Sequence, residues 1–584
     1  MRNISLSKYL SKSVHLFTIF VYLFTFLGPS LALASHAPTY AETVNGESEK
    51  PRAKTTPSTP PKSAFTGKSH TFDDLPSALQ DTYHRFTLKV SQDPLSGGIH
   101  FRLRDFEGTR NLFHHVLPND KKDSPFTPLL EDGTHTGFTV DVPDVGQIQC
   151  DWQGNLKLVG LHRISPETAP LALLLATDGS VDFSDITFKN LALHAKNVTF
   201  VQGIKIQEES VFDIDVLDLA ESGFENTKLM SFLSKTRFIS KKRWRNKGKI
   251  VGEKSLDFDR CMFSNPGIVY GKDHLTLSSG FFDNDGGAFH GEKGTSLNLT
   301  RYFYNKRGGK VSSGKVTHVH FHKKQEGDLG DIHGEEVVLE DLSGGFHFSL
   351  QKGRVEATHS TTLIGKHPST KGVDFVTPQL ILDAPDFSLG KQKHVERTVV
   401  KRSKGQFFTL TSPYKTAGTL EFWQKDLTTR KAVQAAMLAR FGDEKGKMPA
   451  PHGKISLQSS VKAAGGLKFF TPHAKVSLGD ETKEALLEFF HKQGWLEAYA
   501  TEFDLEKGTL VAENAYIHAP GSIKMGRLVK DENEDLFSQK LYKKNGSTVL
   551  VRGTTTLRGP WHHRADFLTS FLILNSPKRA LPEY

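Results

Sequence analysis

Three histidines occupy alternate positions in the segment Val316-Thr-His-Val-His-Phe-His322. Because alternate residues of a β-strand share one face, a strand here would place His318, His320 and His322 on the same side. Imidazoles are common ligands of zinc and copper. However, same-face positions of a strand lie about 6.5 to 7 Å apart, and the segment holds no cysteine or carboxylate to complete a site. We therefore expect no metal or other cofactor and keep these histidines only as candidates.

The chain contains two cysteines, Cys150 and Cys261. In an oxidising compartment they could pair, and closing a loop of that length would stabilise the fold by roughly 4 to 5 kcal/mol in the chain-entropy model. A disulfide also requires the two Cα atoms to lie within bonding distance, which the sequence does not define. Pairing and two free thiols therefore both stay open.

Linear motifs of catalysis are absent from the sequence. It has no Gly-x-Ser-x-Gly elbow, no His-Glu-x-x-His, no Cys-x-x-Cys and no complete nucleotide-binding loop. Histidines and carboxylates are scattered through turn-like segments, where they commonly bond to the backbone. We expect a protein that is not an enzyme. A β-helix polysaccharide lyase or hydrolase remains the exception, since its carboxylates need no linear motif.

The composition favours a β protein with many turns. The chain has 42 Phe against 6 Met, together with 50 Gly and 26 Pro among its 584 residues. Aromatic residues are enriched in strands, whereas methionine is the adaptable filler of cores. The net charge of +10 suits anionic surroundings, and it also serves solubility.

The N-terminus has the pattern of a targeting segment. Positive charges precede an apolar run at residues 16–27, which is followed by a Gly28-Pro29 break and the small-residue site Ala32-Leu33-Ala34. We predict a signal peptide over residues 1–34 and export to the periplasm; an uncleaved inner-membrane anchor is the alternative. Residues 35–72 are rich in Pro, Ser, Thr and Lys, which predicts a disordered linker.

Three β domains are expected after the linker, at residues 73–240, 250–390 and 391–584. The first boundary is the basic run Lys241-Lys-Arg-Trp-Arg-Asn-Lys-Gly-Lys249. We interpret it as a solvated inter-domain linker, with a phosphate or lipid head-group contact as the alternative. Within the last domain, the segments Thr428–Arg440 and Glu481–Lys492 have the stop and charge signals of inserted helices.

One stretch in the last domain occurs twice. Gly466-Leu-Lys-Phe-Phe-Thr-Pro-His-Ala-Lys-Val-Ser-Leu478 repeats the Gly, Phe, Thr and Pro positions of Gly372-Val-Asp-Phe-Val-Thr-Pro-Gln-Leu-Ile-Leu382. Apolar residues alternate on both sides of Thr-Pro, but with opposite parity. Since proline cannot donate to a strand ladder, each copy is predicted to be two short strands joined by a kink where the inward face switches.

The order of these features resembles the periplasmic lipopolysaccharide-transport β-jellyroll family, the LptC/LptA or OstA-like group. A Gly and Phe-x-Thr strand is followed by an alternating strand, an Asp504–Gly508 turn, a further strand and Pro520-Gly521. The resemblance covers residues 400–555, with a weaker fit over 270–390. It implies an all-β fold of repeated antiparallel jellyroll-like or meander sheets with a few short inserted helices.

The resemblance also implies a function, which is to bind or relay lipopolysaccharide or a related anionic lipid in the cell envelope. Basic residues at the rim of a trough would meet phosphates. The segment Phe567–Leu574 is interpreted as a strand or a short helix; as an edge strand it could pair with other envelope transport proteins. Nucleic acid is not an expected partner. The side chains expected to line the trough are Phe469, Val476, Tyr499, Phe503 and Ile523.

Two other classes of protein fit the same strand pattern. One is an AsmA-like lipid-bridge or envelope-maintenance protein. The other is a surface β-helix that acts as an adhesin or a carbohydrate-active enzyme. A β-helix requires a steady period through residues 180–350, and inspection of the sequence finds none there.

Overall fold

A computed structural model describes residues 86–575 apart from internal segments, of which the longest are 118–126, 161–170 and 528–548. The chain divides into a unit of residues Met1–Gly67, which lies outside the described residues, and a unit of residues Lys68–Tyr584. The expected signal peptide over 1–34 and the linker over 35–72 also lie outside the described residues.

The all-β prediction is confirmed, but the antiparallel arrangement holds only for the first strands. Two antiparallel meanders open the fold, one of three strands and one of four. The strands are β1 (Phe86–Gln92), β2 (Ile99–Asp105), β3 (Asn111–Leu117), β4 (Thr127–Glu131), β5 (Thr134–Val142), β6 (Gly146–Asp151) and β7 (Leu156–Val159).

All the described pairings after β7 are parallel, including those that join β1 to β8 and β7 to β9. Each strand from β13 to β17 pairs with the strand three positions later in the chain. Such pairing builds a parallel β-solenoid with three strands in each coil. The antiparallel jellyroll prediction is therefore wrong for this part of the chain.

The strands of the first coils are β8 (Leu171–Thr177), β9 (Ser180–Ser184), β10 (Thr187–Gln202), β11 (Lys205–Ile206), β12 (Ser210–Asp218), β13 (Glu225–Asn226), β14 (Leu229–Phe232), β15 (Thr236–Ile239), β16 (Arg243–Asn246), β17 (Lys249–Gly252), β18 (Leu256–Asp259), β19 (Met262–Ser264), β20 (Ile268–Gly271), β21 (His274–Asp283), β22 (Ala288–Gly291), β23 (Gly294–Tyr304), β24 (Lys310–Ser313) and β25 (Val316–Phe321). The later strands are β26 (Glu326–Asp341), β27 (Ser349–Ile364), β28 (Ser369–Thr370), β29 (Val373–Asp383), β30 (Ser388–Leu389), β31 (His394–Arg402), β32 (Phe407–Leu410), β33 (Tyr414–Thr416), β34 (Thr419–Gln424), β35 (Gly453–Leu457), β36 (Val461–Ala463), β37 (Gly466–Leu478), β38 (Ala485–Glu488), β39 (Trp495–Leu505), β40 (Gly508–Ala512), β41 (Asn514–His518), β42 (Ser522–Arg527), β43 (Val549–Arg558), β44 (Trp561–Arg564) and β45 (Phe567–Asn575).

Each coil presents three outer faces to its surroundings. We name them face A, face B and face C after the coil in which β17 lies on face A, β18 on face B and β19 on face C. Longer strands such as β21 and β23 turn a corner, so that one strand contributes to both face B and face C. Along every face, buried side chains alternate with more exposed ones.

Aromatic stacks fill the interior of the coils. Trp244 stacks on Phe263 with ring centroids 4.4 Å apart, Phe263 on Phe282 at 6.0 Å, and Phe282 on Phe303 at 5.8 Å. These four rings stand one above another because parallel pairing in register sets equivalent positions side by side. Many of the phenylalanines are thus accounted for by stacks to which each coil contributes one ring.

A second ladder, of asparagines, lies at the corner between face C and face A. The side chains of Asn226, Asn246, Asn265, Asn284 and Asn305 are all buried. Each donates from Nδ2 to the Oδ1 of the next, at 2.8, 2.7, 2.7 and 2.9 Å, over sequence intervals of 20, 19, 19 and 21 residues. The sequence therefore has a repeat of 19 to 21 residues, one per coil, which our sequence analysis did not identify. It was missed because the interval is not constant.

Each copy of the repeated Gly-Phe-Thr-Pro stretch forms one continuous strand, β29 or β37, so the prediction of two short strands is wrong. The predicted switch of the inward face is confirmed in β37. The buried parity in β37 changes between Phe469 and Val476, and the register with β39 shifts between Thr471 and Lys475. The part before the shift pairs with β34 on face B, and the part after it pairs with β35 on face C. Gly466 begins the strand with φ +116, where an added Cβ would lie 2.4 Å from the carbonyl oxygen of Trp495.

The three-domain division does not correspond to breaks in the sheets. The basic segment 241–249 contains β16, which pairs with β13 before it and β19 after it, and β29 pairs with β31 across residue 390. Of the two expected helices, the first is confirmed as α1 (Arg430–Phe441). The second is wrong over Ala485–Glu488, which forms β38; the rest of that segment is outside the described residues.

Candidate functional site

Four of the five expected trough residues lie in the solenoid interior: Phe469, Val476, Phe503 and Ile523. All four are fully buried and belong to one continuous core cluster. Phe469 stacks on Phe422 with centroids 5.0 Å apart and meets Phe503 edge-on at 5.9 Å. Their inward orientation is as predicted, but neighbouring side chains fill the space around them. They stabilise the coil rather than leave room for an acyl chain.

Tyr499, the fifth residue, lies on the outer side of its strand. It belongs to a second hydrophobic cluster beneath α1, where Arg430 Nε and Gln434 Nε2 donate to its hydroxyl at 3.3 and 3.2 Å. The inward positions next to it are taken by Ala498 and Ala500. The prediction that Tyr499 faces the interior is therefore wrong, because a covering helix rather than the core buries it.

Both cysteines are free and buried, so the disulfide that the sequence left open is not formed. Cys150 Sγ lies 3.4 Å from the carbonyl oxygen of Asp151, and Cys261 Sγ lies 3.4 Å from that of Phe238. Burial raises the pKa of Cys261 to about 12 and also raises the pKa of Cys150. These thiols act as small core residues and not as nucleophiles.

The basic segment places Arg243 and Arg245 on the outside of face C in β16, whereas Lys249 begins β17 on face A. Trp244 points inward and is only 1% exposed, so it makes no head-group contact. The cationic residues around it are exposed. They are Lys241, Lys242, Arg243, Arg245, Lys247 and Lys249.

Three aromatic side chains stand on face C above this basic segment, separated from β16 by β19. Tyr302 and Tyr304 are 56% and 38% exposed, and Phe281 is half-buried between them and the coil below. The tyrosine rings are nearly parallel, at 7° with centroids 6.3 Å apart, and Phe281 lies 5.9 Å from Tyr304. We call Phe281, Tyr302 and Tyr304 the aromatic platform. Exposed Met262 lies in register below Phe281 and extends it.

Polar groups surround the aromatic platform. The guanidinium of Arg243 lies 4.4 Å from the centroid of Phe281, and its Nη2 is 2.8 Å from Asp283 Oδ2. Ser264 donates to the same carboxylate oxygen at 3.2 Å. On the other side, Lys306 Nζ lies 5.6 Å from the centroid of Tyr304. The arrangement offers flat apolar rings, fixed hydrogen-bonding groups and positive charge within one surface.

The histidine segment lies on face B. His318 and His320 are in β25 and share its outer side, as predicted, with ring centroids only 3.7 Å apart. His322 follows the end of the strand and is exposed. Parallel pairing sets Glu340 of the next coil in register with His320. The sequence therefore predicted two members of the cluster correctly and missed the third, which comes from another coil.

Glu340 contacts both imidazoles. Its Oε2 lies 3.2 Å from His318 Nε2 and 3.0 Å from His320 Nδ1. The side chains are 31%, 19% and 22% exposed for His318, His320 and Glu340. Burial and the neighbouring His320 lower the pKa of His318, against the opposing effect of Glu340. A neutral imidazole is the form that binds a metal.

A buried charge network lies further along face B, beneath α1. Glu421 accepts hydrogen bonds from Arg397 Nη2 at 2.7 Å, Trp423 Nε1 at 2.9 Å and Lys468 Nζ at 3.0 Å. Burial by itself raises the pKa of Glu421, but these three donors outweigh it and lower the pKa to about 2. The carboxylate therefore stays ionised in the interior of the network.

The pKa of a second glutamate of this network, Glu497, is shifted in the opposite direction. Arg430 of α1 places Nη2 2.5 Å from Glu497 Oε1, yet burial raises the pKa of Glu497. Two carboxyls with pKa values pushed apart are typical of acid–base catalysis. Here both side chains are only 2% exposed beneath α1, where a substrate does not reach them. We assign Glu497 to the attachment of α1, because it pairs with Arg430, and Glu421 to the linking of Arg397, Trp423 and Lys468 on the strands.

The last strand gives a further candidate surface. β45 pairs with β43, and no other strand in the described part of the chain pairs with it. Pairing of this edge with another envelope protein stays a prediction.

No helix in the described ranges is both long and apolar enough to cross a membrane. Searches for similar proteins among family models, curated proteins and solved structures found no match to this chain.

Proposed function

We propose that this chain is an exported binding protein whose solenoid holds an anionic glycan against face C. The aromatic platform is the observation that carries the proposal. Apolar rings are left exposed there in a row, although the fold buries its other aromatic ladders. Exposed apolar groups with a polar rim are typical of binding surfaces.

The shape and chemistry of face C favour a sugar polymer. The C–H faces of a pyranose ring stack on flat aromatic rings, while its hydroxyls bond to groups such as Asp283 and Arg243. Successive coils repeat every 4.7 to 4.9 Å, which is close to the length of one hexose unit. A glycan lying along the solenoid would therefore meet an equivalent position on each coil.

The charge of the surface favours an anionic glycan. Arg243 and Lys306 flank the aromatic platform, and the exposed cations of the segment 241–249 continue below it. Carboxylates or phosphates on the sugar would be attracted to this surface, and guanidinium groups bind both kinds of anion well.

The proposal keeps lipopolysaccharide as a ligand but assigns the contact to its phosphorylated sugars. The acyl-chain trough that the resemblance implied receives no support, because Phe469, Val476, Phe503 and Ile523 are packed within a filled core. Binding on an outer face needs no catalysis, which agrees with the expectation of a protein that is not an enzyme.

The test measures binding of the exported protein to three ligands by calorimetry. They are intact lipopolysaccharide, its de-acylated phosphorylated saccharide, and the same saccharide without phosphates. We expect the first two to bind alike and the third to bind more weakly. Raising the salt concentration should weaken the part of the binding free energy that comes from charge–charge attraction, since the screening length is about 10 Å at 0.1 M. The part that comes from stacking on the aromatic platform should not change.

Alanine substitutions on the aromatic platform test whether the glycan binds there. Tyr302→Ala and Tyr304→Ala should each lower the affinity about 5- to 150-fold, if stacking a sugar is worth roughly as much as the 1 to 3 kcal/mol of a base on an aromatic ring. Leu438→Ala is the control, because Leu438 is 73% exposed on α1, which covers face B and not face C. Binding that needs the acyl chains, or that is unchanged by both tyrosine substitutions, would reject the proposal.

A further inference from the structure

We propose that His318, His320 and Glu340 form a binding site for one divalent transition-metal ion, and that Zn²⁺ is the ion it fits best. Two imidazoles and one carboxylate are a common set of protein ligands for zinc. The ligand atoms of the three residues all lie within 4.8 Å of one another.

The distances suit a single ion with little movement. Zinc binds nitrogen and oxygen ligands at about 2.0 to 2.2 Å, so tetrahedral ligand atoms lie roughly 3.3 to 3.6 Å apart. Glu340 Oε2 is 3.2 Å from His318 Nε2 and 3.0 Å from His320 Nδ1. A displacement of a few tenths of an ångström would bring each nitrogen to the required spacing from Oε2, and the two nitrogens lie within 4.8 Å of each other.

His320 supplies an independent indication. Its Nδ1 is buried and makes no hydrogen bond, although Glu340 Oε2 lies 3.0 Å away. The 3.0 Å contact therefore lacks hydrogen-bond geometry, and a buried polar atom left without a hydrogen bond requires an explanation, of which a bound ion is one. A cation between the imidazole nitrogen and the carboxylate oxygen would satisfy both groups at once.

The architecture also explains how two histidines on one strand can share an ion. Positions two apart on a strand are widely spaced at the backbone, but the rings of His318 and His320 converge to 3.7 Å. The parallel neighbour then brings Glu340 alongside them from the next coil. With three protein ligands and partly exposed side chains, a fourth position is available to water or to another ligand.

This site lies on face B, whereas the proposed glycan surface lies on face C. The metal proposal therefore does not rest on the proposed function, and either can fail without the other.

The experiment uses the whole exported protein without any histidine tag, treated with a chelator and then titrated with ZnCl₂ in a calorimeter. We expect one equivalent to bind. His320→Ala and Glu340→Gln should each weaken binding at least about tenfold, because even loss of an outer-shell partner costs 10- to 100-fold. Co²⁺ in place of Zn²⁺ should give the visible absorption of a tetrahedral nitrogen–oxygen site.

His290→Ala is the matched control. His290 is a strand histidine whose Nδ1 lies 2.8 Å from Ser312 Oγ, and it is outside the cluster, so its loss should leave zinc binding unchanged. Circular dichroism shows whether each variant folds; if His320→Ala does not, Glu340→Gln and His320→Gln replace it. Failure of the wild type to bind zinc, or equal binding by the folded ligand variants, would overturn the proposal and leave a simple histidine–glutamate ion pair.

Discussion

Asn246 donates a hydrogen bond from Nδ2 to Oδ1 of Asn265, 2.7 Å away, although the two residues belong to successive coils. Both side chains are completely buried, and each also bonds to a backbone carbonyl, that of Ile268 or Ala288. One residue type thus satisfies the polar groups of a buried corner in every coil from Asn226 to Asn305. The ladder fixes the register in which the coils stack.

Removing one step of this ladder should destabilise the solenoid. Asn265→Ala removes the hydrogen bonds that Nδ2 donates to Asn284 Oδ1 and to the carbonyl of Ala288, at a cost of roughly 2 to 4 kcal/mol. Thermal and urea unfolding measure the change. Asn298→Ala is the control, because Asn298 is partly exposed and makes one long hydrogen bond of 3.5 Å. Equal effects of the two substitutions would contradict the role of the ladder.

The aromatic core should be sensitive to truncation. Phe469→Ala removes a fully buried ring that contacts Phe422 and Phe503, and should cost about 3 to 5 kcal/mol of the free energy of unfolding. Phe407→Ala, at a 66% exposed ring, should change it little. If Phe469→Ala were as mild as its control, the interior would not be packed as described.

Acid should weaken the network beneath α1 through Glu421. The pKa of Glu421 is about 2 in the folded chain and near its ordinary value of 4.5 when unfolded. A lowered pKa stabilises the fold above the unfolded value, and this contribution, about 3 kcal/mol, is lost as the pH falls from about 4.5 towards 2. Glu421→Gln should be less stable than wild type at pH 7, and the difference should shrink in acid.

The control for this pH dependence is Glu253→Gln. Glu253 makes an exposed ion pair with Lys272 at 3.0 Å, and exposed pairs contribute little to stability. Urea midpoints for the wild type and both variants between pH 7 and pH 3 give the comparison. A constant gap between the wild type and Glu421→Gln across this range would argue against an ionised buried glutamate.

The thiols should be unreactive in the native state. Cys150 and Cys261 are buried with raised pKa values, so a thiol reagent at pH 8 should label neither until denaturant is added, and should then label both. A reductant should leave the melting temperature unchanged. A melting temperature that falls on reduction would instead reveal a disulfide.

The strand pattern alone was enough to predict the all-β class and much of the interior. Alternation at period two identified the inward side chains of Phe469, Val476, Phe503 and Ile523, and the change of parity at Thr471-Pro472 located the corner of β37. These features depend on neighbours along the chain, because successive side chains of a strand point to opposite faces whatever the strand pairs with.

The tertiary structure decided which strands are neighbours. Parallel and antiparallel pairing bury the same alternate residues, so the pattern could not distinguish a jellyroll from a solenoid. The asparagine period would have done so, but its intervals of 20, 19, 19 and 21 residues vary with the length of each turn. The same coil stacking places Glu340 beside His320, and Tyr302 above Phe281. Those contacts join residues about one coil apart, and only the lateral pairing of coils brings them together.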